Sequence, residues 1–146
     1  MQKLIILLTS GMLLLASGAR AEEIYLNCKF IRGEYQLLTP FIRNEPVKNN
    51  DSNANDIFLN LDTTKKKILN FSDNKELGSF DKKINVFNWS NDNIEFLYFQ
   101  SENWKIRYFL NRFSGNLKKV ISFQGDANQS GSVETFFECK KQTKKF

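Results

Sequence analysis

At 146 residues, the chain is long enough for one domain with a modest core and leaves no room for two. It has no histidine and two cysteines, which removes a histidine catalytic base, a Cys/His metal set and any histidine-activated thiol; a glycine-rich phosphate loop is absent as well. Lys and Arg outnumber Asp and Glu by 21 to 16, an excess too mild for a nucleic-acid footprint.

In chain order, Lys3 opens a charged start, Leu4 to Leu15 form a mostly apolar run, and Ala19-Arg20-Ala21 offers a small-x-small cleavage site. This is the pattern of a secretory signal peptide over residues 1–21. The run falls short of the about 20 residues that a membrane span needs. Cleavage after Ala21 leaves residues 22–146 as a single β domain of 125 residues, periplasmic or secreted, with 19 Lys and Arg against 16 Asp and Glu. Four Asn-x-Ser triplets, at Asn50, Asn70, Asn88 and Asn128, are arithmetic in an Asn-rich chain rather than glycosylation sites.

Cys28 lies well past the cleavage site, so it is not a lipoprotein anchor. It has no histidine neighbour, no C-x-x-C partner and no cluster of ligands. In an exported chain, its expected role is a disulfide with Cys139.

The region after the signal reads as strands almost throughout. "IYLNCKFIR" alternates Ile24, Leu26, Cys28 and Phe30 with Tyr25, Asn27, Lys29 and Ile31. Arg32-Gly33-Glu34 predicts a turn, and "YQLLTPFI" a second strand ending at Pro40. Residues 43–56 predict the longest loop. "IFLNL" and "KKILNF" flank "DTTK" as a hairpin, and residues 72–82 predict a connection with a single helical turn. "KINVFNWS", "NIEFLYFQ", "NWKIRYFLNR", "GNLKKVISFQ" and "SVETFFECKK" complete eight or nine strands with no substantial helix.

Short connections imply antiparallel neighbours, and a set this size must curl into a barrel or split into a sandwich. Cysteines in the first and last strands favour an all-β, up-and-down barrel of about eight strands, with a β-sandwich as the alternative.

Within 94–99, Ile94, Phe96 and Tyr98 share one face while Leu97 and Phe99 share the other, so both faces are apolar. Either a segment such as 72–82 covers the second face, or it forms a ligand-binding surface. Strand 104–111 sets Trp104, Ile106, Tyr108 and Leu110 on a core face against Lys105, Arg107, Phe109 and Asn111 on a solvated one. In "NRFSG", Gly115 suits the positive φ of a tight hairpin. Arg112 there either pairs with a nearby acid or aims at a partner's carboxylate. Candidate binding residues are Phe96, Phe99, Trp104, Tyr108 and Arg112. Lys140, Lys141, Lys144 and Lys145 predict a frayed basic tail able to touch an anionic envelope surface weakly.

"YLNCKF" in the first strand, "NRFSG" late in the chain and "FFECKK" in the last strand resemble a loosely defined group of small exported bacterial proteins. That group brings no established activity. The terminal cysteines are also similar to those of the periplasmic inhibitors of C-type lysozyme, small antiparallel barrels, which implies inhibition by a loop inserted into the enzyme's cleft. Their Ser-Gly-x-x-Tyr segment is absent, so no inhibitory residue is carried over. The expected function is a non-catalytic binding protein for a small apolar ligand or a protein partner. No cofactor, metal or nucleic acid is expected, and an envelope-associated module is the alternative.

Overall fold

A computed structural model describes residues 22–39, 43–73, 84–125 and 129–143. The expected signal segment, Pro40, the part of the 72–82 connection beyond Asp73, Lys144, Lys145 and the side chain of Phe99 lie outside this description.

Period-two alternation commits the chain to strands: β1 (Glu23–Thr39), β2 (Arg43–Pro46), β3 (Ile57–Asp62), β4 (Lys67–Asp73), β5 (Asn85–Trp89), β6 (Asn93–Gln100), β7 (Trp104–Asn111), β8 (Asn116–Gln124) and β9 (Ser130–Gln142). They pair in the order β4-β3-β1-β9-β8-β7-β6-β5, with β2 on β1, and every pairing is antiparallel. Apart from the short β2, these eight strands make a nearly closed up-and-down barrel. The first strand lies beside the last, and the seam falls between β4 and β5, which share no ladder among the described residues. Cys28 sits directly opposite Cys139 and is disulfide-bonded to it, with Cα atoms 3.8 Å apart.

Three local expectations change. Arg32-Gly33-Glu34 is not a turn: β1 runs on as one strand of 17 residues, and the segment absorbs a register shift against β9 between Phe30 and Arg32. Gly33 is needed there because a Cβ would stand 2.6 Å from Thr135 Cγ2 and 2.9 Å from the Glu134 carbonyl. The 43–56 loop is not loose; it holds β2 and a 3₁₀ turn (Ser52–Ala54), and buries Val47 and Ala54. The basic tail is strand as far as Gln142, where Lys140 faces Glu138 at 3.6 Å and Lys141 faces Glu22 at 3.8 Å.

The barrel interior is filled. Ile94, Phe96, Ile106, Tyr108, Leu110, Leu117, Ile121, Val133 and Phe137 point inward with Ile57, Leu59 and Leu61 from β3. Phe71 on β4 crosses the open seam to touch the rings of Phe96, Tyr98 and Tyr108, with centroids 4.9–5.5 Å apart. Aromatic contact therefore closes what the backbone ladder leaves open. On the outside, the Arg32 guanidinium lies 4.1 Å over Phe136 and that of Arg107 lies 5.6 Å from Phe109, so cations cover the outward rings.

Candidate functional site

Strand β7 divides the candidate residues among three levels of the barrel. At mid-height, Phe96, Tyr108, Lys119, Thr135 and Gly33 are successive cross-strand partners around the wall. Phe96 stacks on Tyr108 at 4.9 Å, and neither ring has any exposed surface. Both belong to the packing rather than to a ligand cavity.

The same level carries a buried polar cluster that sequence reasoning missed. Lys119 Nζ lies 2.8 Å from Asp73 Oδ2, and each side chain is 1% exposed. The Tyr108 hydroxyl donates to the same carboxylate oxygen. Burial, then the Asp73 charge and this hydrogen bond, push the Tyr108 phenol well above its ordinary value, so it stays protonated. The signal was present: Lys119 has the parity of Leu117 and Ile121, which places it on the inward face.

Nearer the 3₁₀ turn, the Tyr35 hydroxyl donates to Asp51, whose other oxygen accepts the Asn53 amide at 2.8 Å. Burial alone would raise the Asp51 carboxyl; the Tyr35 and Asn53 hydrogen bonds, with Lys119 nearby, outweigh it and hold the group below its ordinary value. This cluster pins the 43–56 segment against the wall. Among the described residues, no group of Cys, Asp and Glu side chains is placed to hold a metal ion.

At one barrel end lies an open groove of about 650 Å³ that includes Leu38, Gln100, Trp104, Phe123, Gln124 and Ser130 in its lining. Trp104 was expected in the core and is instead 49% exposed. It is the first residue of β7, so the inward parity it shares with Ile106 delivers it to the rim. Its ring stacks on Phe123 at 5.5 Å. Phe123 in turn rests against Gly131, where a Cβ would come within 2.7 Å of the ring.

The other end carries the "NRFSG" hairpin. Asn111 Oδ1 accepts the amides of Phe113 and Ser114 at 3.0 and 2.9 Å, and Gly115 takes φ +71° as its sequence suggests. Among the described residues Arg112 finds no acid. Its Nη1 donates to the Ser90 carbonyl at 2.9 Å and its amide to the Asp92 carbonyl at 2.7 Å. Phe113, which sequence reasoning passed over as a turn residue, is 81% exposed. Beside the tip is a hollow of about 470 Å³ that includes Ile24, Leu26, Leu110, Arg112, Phe113 and Lys141.

The candidate residues whose side chains are described therefore do not share one cavity: Phe96 and Tyr108 are core, Trp104 stands at one end and Arg112 at the other. The two ends offer different chemistry, one aromatic with neutral polar groups, the other apolar with cations. Comparison with protein-family models, curated proteins and solved structures found no match to this chain.

Proposed function

We propose that this chain is a non-catalytic exported binding protein that engages a protein partner through the β7–β8 tip. The observation that carries the reading is Phe113, a large apolar side chain left 81% exposed on a turn whose neighbouring amides are hydrogen-bonded. A ring held out on a rigid tip loses little freedom on docking, which is the character of an interface anchor. The Cys28–Cys139 disulfide is compatible with an oxidising extracellular or periplasmic setting. The filled interior argues against an apolar ligand carried at mid-barrel.

Arg112 narrows the partner's chemistry. One guanidinium nitrogen is fixed by the Ser90 carbonyl, and no carboxylate among the described residues pairs with the rest. A cation next to a projecting ring suits a concave site containing carboxylates, such as the paired acids of a glycan-cleaving enzyme. This gives an inhibitor-like reading: Phe113 enters the cleft and Arg112 meets an acid.

The test is hydrolysis of peptidoglycan by a C-type lysozyme in the presence of excess protein. Protection is expected, with at least tenfold loss on Phe113→Ala and on Arg112→Ala. Absence of protection by the unaltered protein overturns the inhibitor reading. Protection that survives both substitutions overturns the tip as its agent.

A further inference from the structure

We infer that the groove around Trp104, at the end opposite the docking tip, is a binding site for a neutral oligosaccharide of flat, equatorially linked pyranoses. It rests on none of the observations used for the tip.

The lining decides the ligand class. Seven of its thirteen described lining residues are Ser, Asn or Gln, and among them Glu102 and Lys105 are the two charged groups, opposite in sign. A wholly apolar ligand would cover the Gln100, Asn103 and Gln124 amides without offering them a hydrogen bond. An anionic ligand, nucleic acid or sulfated glycan, would meet one Lys offset by one Glu. What matches is an uncharged ligand rich in hydroxyls.

The aromatic floor adds shape. Trp104 is half exposed and braced from beneath by Phe123, which Gly131 admits by lacking a Cβ. The electron-rich face of an indole attracts the C–H face of a pyranose whose hydroxyls are equatorial and so point sideways. Gln100, Asn103 and Gln124 border the groove, and their side-chain amides make no hydrogen bond within the chain among the described residues. They are available to those sideways hydroxyls. Trp104 itself is positioned by the Ser101 side chain, which accepts its backbone amide at 3.1 Å. Among the described residues the groove is open along one side, a shape that admits a segment of a longer chain.

Calorimetric titration with the β-1,4-linked tetramer of N-acetylglucosamine and with cellotetraose tests this, using a sulfated tetrasaccharide for comparison. Saturable binding of at least one neutral tetramer is expected. Trp104→Ala should weaken it at least tenfold, Trp104→Phe should retain part of it, Gln124→Ala should weaken it severalfold, and Phe113→Ala should leave it unchanged. The thermal transition of each variant shows that it remains folded; Trp104→Phe and Gln124→Ala keep the test in force if the alanine variant fails to fold. No saturable binding of either neutral tetramer, equal affinity in Trp104→Ala, or tighter binding of the sulfated sugar overturns the assignment. Loss on Phe113→Ala would place the sugar at the other end and overturn it too. Failure here leaves the lysozyme assay of the tip unaffected, and failure there leaves this result standing.

Discussion

Lys119 occupies an inward position between Leu117 and Ile121, and the cost of burying its charge is met by Asp73 from across the seam. Removing one member leaves the other charge stranded in the barrel. Lys119→Met is therefore expected to lower the stability of urea unfolding by about 3–5 kcal/mol, and the double substitution with Asp73→Leu to recover most of that loss. Tyr108, bonded to the same carboxylate, links this cluster to alkaline pH. Its folded phenol ionises well above its ordinary value of 10.0, so above that pH the unfolded chain sheds a proton that the folded chain keeps. Stability is fully present below pH 10 and declines as pH rises beyond it. Titrating unfolding from neutral to alkaline pH should show that decline, and Tyr108→Phe should make it shallower, leaving the share of Tyr35 and Tyr98, whose phenols are also raised. Lys119 was passed over in the sequence although its parity with Leu117 and Ile121 marks an inward position. Its partner was not legible there: Asp73 ends β4, and only the curl of the barrel carries that end across to β8 and β7.

Among the elements, β7 and its flanking turns shape both ends of the barrel at which binding is proposed. The tip after β7 is built by Asn111, whose side chain accepts two backbone amides, so Asn111→Ala is expected to cost about 1 kcal/mol and to loosen Phe113. Chemical denaturation reads the first effect, and backbone amide exchange at residues 113–114 the second. Ahead of β7, the stack of Trp104 on Phe123 depends on Gly131, which is wedged between the Phe123 ring and the Gln36 carbonyl. Gly131→Ala is expected to destabilise the barrel by about 1–3 kcal/mol and to shift the Trp104 fluorescence. The hairpin with positive φ at Gly115 was visible in "NRFSG", because glycine at such a turn has a local cause. The uninterrupted β1 was not: Arg32-Gly33-Glu34 has turn composition, but Gly33 serves a close approach to β9 that no local rule reports. For the same reason Trp104 read as core. Alternation gives the face of a strand, not the level at which the barrel ends.

Across the whole molecule, closure depends on the β1–β9 ladder and on side chains spanning the β4–β5 seam. The disulfide joins residues 111 apart. Limiting the unfolded chain over so long a loop contributes about 4–5 kcal/mol, so replacing Cys28 and Cys139 together by serine should lower the unfolding free energy read from denaturant titration by that amount. Phe71 bears on the seam in a complementary way: Phe71→Ala removes contacts with three rings and is expected to cost about 3 kcal/mol. The sequence by itself determined an all-β antiparallel domain and pointed to the pairing of its cysteines, because period-two alternation and the position of a cysteine are properties of one strand at a time; the strand order decided barrel over sandwich. The sequence also set a chemistry without histidine. Only the tertiary structure decided that the seam lies between β4 and β5, that Lys119 and Asp73 meet inside, and that Trp104 and Arg112 stand at opposite ends. Those facts depend on register and on where each strand meets the rim, which are fixed when neighbouring strands pair and the sheet curls.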